Sequence, residues 1–357
     1  MPMLKPALAA LVVAMMASPA MAQLPRTVDG KPDFTGFWTN ISLTPLQRAP
    51  ANKTLVVNEE DAKRIAGGYA IGGIKEEGYK GSTYSDPNKG APPKGGEDFG
   101  VQAYDNFWWD SGNKLAFVKG EWRTSYIVEP ANGQAPYIDP VGEAKKRTDR
   151  RKIYETGIDN YDGPEVPTLG ERCIIFSSRS GPGMMSSAYN NNYQFVQTQT
   201  HMMIMTEQVH DARVVPIFAT ATEARTKHLP SAIKPWFGDS VGWWEGDTFV
   251  METINVNPEQ TDSHPFSLSP KGVVTERFTR ASDKEIFYEF SVNDPALYTQ
   301  PWKAELSFYP SPGKLYEYAC HEGNYGMHGI LAGAREEERR DAAKSAKGKT
   351  KMAKGGQ

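Results

Sequence analysis

From residue 193 onward the chain alternates apolar and polar positions with a period of two, interrupted at short intervals by turn residues. Residues 193–198, 202–207 and 213–218 are short runs of this kind separated by polar turns. They predict consecutive antiparallel hairpins, because successive side chains of a strand point to opposite faces. Residues 248–254 follow a Glu245-Gly246-Asp247 turn, and residues 273–279 and 286–292 flank Ser282-Asp283-Lys284. In the last of these runs Ile286, Tyr288, Phe290 and Val292 fall on one face and Phe287, Glu289 and Ser291 on the other. Trp302, Ala304, Leu306 and Phe308 repeat the alternation, and residues 315–320 read as one more strand after Pro312-Gly313. At least eight strands at regular spacing predict a mainly β, antiparallel, lipocalin-like up-and-down barrel, since a closed sheet leaves no edge to aggregate. Barrels of about this strand number either pack solid or hold one small ligand.

The first half is irregular. Residues 33–38 read as a short strand that closes against the body, and residues 67–100 mix glycine, proline, lysine and acid too densely to be core, which predicts a long surface loop. Residues 103–122 carry Trp108, Trp109 and Trp122 and mark a return to the core, while charged residues 144–154 form a short helix or a solvated loop. The tail, 335–357, reads as helical at first and then as a basic, low-complexity, solvated end. At the other terminus, Lys5, an apolar run over residues 7–17 and Ala20-Met21-Ala22 have the layout of a secretory signal with an A-x-A cleavage site, so the mature chain is expected to begin at Gln23. Residues 23–334 then form one β-rich domain in a periplasmic or secreted protein, and no later segment has the roughly 20 apolar residues of a membrane helix.

Composition narrows the function. A net charge of −3 offers no basic face for nucleic acid, and 11% aromatic residues suffice either to line a cavity or to fill a core. Two cysteines in an exported chain predict a bridge between Cys173 and Cys320, against the alternative of two buried thiols.

The densest chemistry is residues 316–326, which include Tyr318, Cys320, His321, Glu322, Asn324 and Tyr325. His321 with Glu322 is expected at a strand end near the barrel mouth as an acid/base pair, with Tyr318, Asn324 and Tyr325 holding substrate; the plainer reading is a structural hydrogen-bonding pair. His210-Asp211-Ala212-Arg213 sits in a predicted turn and offers a base, a carboxylate and a fixed cation suited to a substrate carboxylate, unless it is simply a salt-bridged turn. Trp236, Asp239 and Trp244 are further candidate binding residues around Gly238-Asp239-Ser240-Val241-Gly242, which matches the G-x-S-x-G of a nucleophile elbow without the helix an elbow requires. The histidines show no diagnostic metal spacing, so neither a metal nor another cofactor is expected.

These segments resemble a large family of exported bacterial proteins of uncharacterised activity. The resemblance is carried by Glu171-Arg172-Cys173, by residues 193–198, and by His210-Asp211-Ala212-Arg213. It continues through Gly238 to Gly242, Trp244-Glu245-Gly246-Asp247-Thr248, Glu276-Arg277-Phe278, Asp294-Pro295 with residues 298–302, and residues 318–326. Trp243 departs from the family's pattern, which has arginine or histidine at that position. The resemblance implies a common fold and no reaction.

The leading expectation is an exported enzyme using a histidine and carboxylates for elimination, isomerisation or hydrolysis of a small, largely apolar or aromatic molecule. The alternative is a lipocalin-like carrier without catalysis, and a third is a structural envelope protein with a solidly packed barrel. Convergence of His210, His321, Asp239, Glu245 and Glu322 in one cavity is the expected mark of the enzyme.

Overall fold

The computed structural model describes residues 24–69, 112–156, 163–176, 180–187, 189–263 and 265–354. Residues 1–23, where a secretory signal was expected, nearly all of the 67–100 segment, Trp108, Trp109 and His264 lie outside them. The strands are β1 (Gly36–Thr39), β2 (Val56–Val57), β3 (Phe117–Val118), β4 (Glu121–Arg123), β5 (Ile127–Glu129), β6 (Asn192–Gln197), β7 (His201–Thr206), β8 (Ala212–Phe218), β9 (Asp239–Glu245), β10 (Thr248–Ile254), β11 (Val273–Ser282), β12 (Glu285–Asn293) and β13 (Trp302–Pro310).

Strands β6 to β13 pair in chain order, and β1 bridges β6 and β13, so nine strands close into a barrel. Every pairing in the ring is antiparallel except β8 with β9, which run parallel. That one pair breaks the expected up-and-down order: the chain leaves β8, forms the helix Ala221–Arg225 and returns before β9 in the same direction. Strands β2, β4 and β3 form a separate small sheet.

The strand expected over residues 315–320 is absent, because the edge it needed is occupied. β1 takes Tyr309 and Pro310 of β13, and β5 takes Lys303 and Ala304 of the same strand. The chain instead runs irregularly into a helical turn, Cys320–Gly323, and then into a single helix, Tyr325–Lys354. That helix begins ten residues before the tail where helix was expected (325 against 335) and includes part of the segment read as low-complexity. Its ion pairs Arg335–Glu338, Arg340–Glu336 and Lys344–Asp341 join neighbouring turns on exposed positions. The charged stretch 144–154 is helical, within Pro140–Thr156.

Alternation fills the barrel as read from the sequence. Ile286, Tyr288, Phe290 and Val292 of β12 and Trp302, Ala304, Leu306 and Phe308 of β13 are all buried. Phe308 meets Phe195 edge-on and Tyr288 meets Phe278 at a tilt, Tyr288 and Phe308 are 5.4 Å apart, and Phe249 packs on Phe278, the geometries that ring quadrupoles favour. Each fully buried aromatic side chain contributes about 1.5–3 kcal/mol relative to exposure.

The remaining space is taken by the chain itself. Gly181, Pro182, Gly183, Met184 and Met185 are buried, and their backbone is bound by side chains of the barrel interior. Glu276 accepts from the Gly183 N–H (3.2 Å), and the Tyr288 hydroxyl accepts from the Met184 N–H (2.9 Å). At Gly183, with φ of +77°, a Cβ would lie 3.0–3.2 Å from Phe266 and Phe290, so only glycine fits. Among the described residues, this segment plugs the lumen between the buried side chains.

Candidate functional site

One junction of the barrel is incomplete. β8 and β9 are registered only at Ile217↔Gly242 and Phe218↔Trp243. The next rung of this parallel ladder would join Val215 to Ser240 and requires an N–H from residue 216 to the Ser240 carbonyl. Residue 216 is proline, which has none. The ladder stops there, and a half-open cleft of about 340 Å³ lies between residues 212–216 and residues 239–241. Lys227, Leu229, Trp236, Phe237 and Gly238 from the β8–β9 connection complete its walls. Three residues singled out in the sequence, Arg213, Trp236 and Asp239, therefore meet in one cavity.

Asp239 is the first residue of β9, and its Oδ2 is fully engaged. It accepts from the Leu229 N–H at 2.7 Å and pairs with His228 Nδ1 at 2.7 Å. Its Oδ1 takes no hydrogen bond from the described residues, which leaves an acceptor at the cleft wall. His228 lies between two carboxylates, with Glu252 Oε1 3.7 Å from its Nε2, a distance of ion pairing rather than hydrogen bonding. Burial alone would lower the His228 pKa, but Glu252 and Asp239 outweigh it and hold the ring toward its charged form. His228, opposed by burial and aided by Arg225, pulls Glu252 down to about 2, and Arg225 grips Glu252 through Nε and Nη2 at 2.9–3.0 Å. The chain of groups Asp239, His228, Glu252 and Arg225 thus ties the β8–β9 connection to the outer face of β10.

Beneath the cleft, Arg213 reaches inward to Glu276 with Nη1 at 3.1 Å and Nη2 at 2.5 Å. Nη2 also meets Thr253 Oγ1 at 3.1 Å and, more loosely, Ser240 Oγ at 3.4 Å. Glu276 is fully buried and also accepts from the Tyr288 hydroxyl at 2.5 Å. Burial disfavours the Arg213 charge, but the attraction of Glu276 keeps its pKa raised. Arg213 therefore serves the core and is already paired, which removes the expected role of clamping a substrate carboxylate. Ser240 lies at the second position of a strand, with its Oγ 2.8 Å from Thr253 Oγ1, so the nucleophile elbow is not formed.

The other expected site residues fall elsewhere. His210 and Asp211 do sit in the turn between β7 and β8, where Val209 and His210 both have positive φ (59° and 54°). His210 Nε2 accepts from the Tyr318 N–H at 3.2 Å, and Asp211 accepts from Ser180 Oγ at 2.9 Å. Burial pushes the Asp211 carboxyl up to about 6, opposed by the Ser180 bond. Cys173 and Cys320 are bridged as expected, and Asn324 Nδ2 donates to Glu171 O at 2.8 Å beside that bridge. His210, Asp211, Tyr318, Asn324 and the disulfide thus share one neighbourhood, distinct from the cleft lining.

His321 and Glu322 are exposed on the Cys320–Gly323 turn, and Tyr325 is 84% exposed. The structure does not carry them to the barrel mouth, because the strand that was to deliver them does not exist. Trp244 packs on Phe34 (6.0 Å) and Phe249 (5.4 Å) instead of lining the cleft. Glu245 pairs with Arg277 at 2.7 Å on the surface. The five groups whose convergence would mark an acid/base centre are therefore dispersed. Trp243 is buried under the helix Ala221–Arg225 and donates from Nε1 to Glu245 at 3.0 Å.

Sequence reasoning missed His228 and Glu252, which lie 24 residues apart and carry no motif. Among the described residues, no group of three His, Cys, Asp or Glu side chains is disposed to hold a metal ion, and no helix is long and apolar enough to cross a membrane. No protein-family model matches the chain, and no curated protein or solved structure is significantly similar to it.

Proposed function

We propose that this chain is an exported small-molecule binding protein, a member of the exported bacterial family its segments resemble, and that its ligand occupies the lateral β8–β9 cleft rather than the lumen. The observation that carries this reading is the pairing of a plugged lumen with a cleft where the ladder stops at Ile217. The ligand has an apolar or aromatic body against Trp236, Phe237 and Leu229 and a hydrogen-bond donor directed at Asp239 Oδ1. A lipocalin-like carrier role is retained, with the site moved from the interior to the wall.

Titration of the mature protein with 2-naphthol, followed by calorimetry, tests the reading. Saturable one-to-one binding is expected, weakened about tenfold or more by Trp236→Ala and by Asp239→Asn. Binding that ignores both substitutions removes the cleft as its location.

Acid/base catalysis is a second reading, favoured by Asp211. Its carboxyl, raised to about 6 next to His210 and Ser180, is poised to exchange a proton near neutrality. Turnover on this reading is lost in Asp211→Asn and kept in His321→Ala. The reverse pattern would return the chemistry to His321.

A further inference from the structure

The ligand class follows from the direction of the backbone groups on β8. In an antiparallel pair, residues that exchange both hydrogen bonds with the neighbour alternate with residues whose N–H and C=O point the other way. Thr206 N donates to Asp211 O at 2.7 Å, and Ile217 N donates to Thr200 O at 2.8 Å. With the β7–β8 register of Ile204↔Arg213 and Met202↔Val215, the residues bonded to β7 are therefore 211, 213, 215 and 217. Ala212, Val214 and Pro216 turn their peptide groups toward β9. Pro216 lies beside the Ile217↔Gly242 rung, but no pairing with β9 reaches Ala212 or Val214. A short strand edge faces the cleft.

We propose that the cleft binds a short extended peptide, of roughly three residues, that adds to this edge of β8. The proposal rests on the cleft being the ligand site. Val214 N–H donates to a peptide carbonyl and Val214 C=O accepts from a peptide N–H, with Ala212 repeating the pattern about 7 Å along the strand. That spacing of donor and acceptor is the repeat of a peptide backbone. The volume of about 340 Å³ admits a fragment and not a protein strand, because Lys227, Leu229 and Trp236 to Asp239 close the cleft laterally. Side chains on one face of the peptide rest on Trp236 and Leu229, and a free N-terminal ammonium is oriented by Asp239 Oδ1. Cationic charge alone is not the attractant. Asp239 and Glu252 are offset by His228 and Arg225, Glu276 is offset by Arg213, and Lys227 adds a positive charge at the wall.

The test uses the full mature chain, trileucine as probe, trileucine N-methylated at its central amide, and 2-naphthol as a non-peptide of comparable size. Val214→Pro removes one cleft-facing N–H and spares the β7 ladder, since residue 214 does not donate to β7. Calorimetry is expected to show trileucine binding, weakened about tenfold by N-methylation and about tenfold by Val214→Pro. Trileucine affinity within twofold after both changes overturns the proposal. So does binding of 2-naphthol without binding of trileucine, and in that case the cleft remains a ligand site. Absence of binding by either probe overturns the proposal and the cleft reading together. Should Val214→Pro fail to fold, the N-methylated peptide on the unaltered protein decides alone.

Discussion

The barrel has two junctions held by only two registered pairs, and they behave in opposite ways. At β13–β1 the pairs are Trp38↔Pro310 and Thr39↔Tyr309, and at β8–β9 they are Ile217↔Gly242 and Phe218↔Trp243. Each includes a nearby proline, and its position within the strand is what differs. Pro310 faces Trp38 at a position that exchanges no hydrogen bond with β1, and the next residue still donates, Ser311 N–H to Phe37 O at 2.9 Å, so no rung depends on its missing N–H. Pro216 is followed by two more residues of β8 and preceded by four, so its missing donor interrupts a ladder with strand on both sides. The first junction is also backed by Trp38, Tyr193 and Phe308, with the rings of the latter two 5.1 Å apart, while the second is backed by a cavity. A short junction seals when packing takes over where hydrogen bonds end.

The interior that both junctions enclose depends on the Arg213–Glu276 pair, so its loss is the largest effect expected. Glu276→Ala leaves a buried guanidinium unpaired and unties Gly183 and Tyr288, at a cost of about 3–5 kcal/mol in denaturant unfolding. A cost below about 1 kcal/mol would show that the interior relaxes easily, and the contrast with the open seam would lose its basis.

Reduction of Cys173–Cys320 comes next. The bridge spans 147 residues and anchors the segment that leads into the plug, so its removal is expected to cost about 2–5 kcal/mol while cleft binding persists in whatever fraction stays folded. Loss of binding in step with the disulfide, at a temperature where the protein remains folded, would tie the cleft to the plug.

A smaller effect separates the seam by pH. The folded-state pKa of His228 is raised, so its stabilising contribution is complete below about 6.5 and fades as pH rises through the folded value. Asp211, raised to about 6, gives a decline of the same sign at lower pH, between about 4 and 6. Glu252, depressed to about 2, acts oppositely, and its contribution is lost as pH falls below about 4.5. Melting midpoints are expected to fall on the alkaline side in the wild type and to flatten there in His228→Gln. An unchanged alkaline slope in that variant would remove the Asp239–His228–Glu252 tie from the account.

How far the sequence carried follows from which signals are local. β10 to β13 were legible because most of their interior positions are apolar, with Thr253, Glu276 and Arg280 as the buried polar exceptions, and their exterior positions are mixed. β9 was not, because its pattern is inverted. Ser240, Gly242 and Trp244 turn toward the barrel, while Val241 and Trp243 turn outward beneath Ala224. Two cores on opposite faces of one strand erase the alternation. The disulfide was legible from compartment and count alone. The crowding of Tyr318, His321, Glu322 and Tyr325 misled, because density along the chain says nothing about convergence when no strand carries the segment to a cavity. Trp236 and Asp239 were found through the glycine motif around them, but for a different chemistry. His228 had no local signal, since its partners are fixed by a register between β9 and β10 that only the fold supplies.

Restoring the missing donor shows whether Pro216 opens the seam. Pro216→Val supplies an N–H at position 216; the rung to Ser240 is expected to form, this new amide to be protected from hydrogen exchange, and 2-naphthol and trileucine to lose affinity about tenfold or more. A freely exchanging amide at 216 with unchanged ligand affinity would contradict the claim that this proline holds the cleft open.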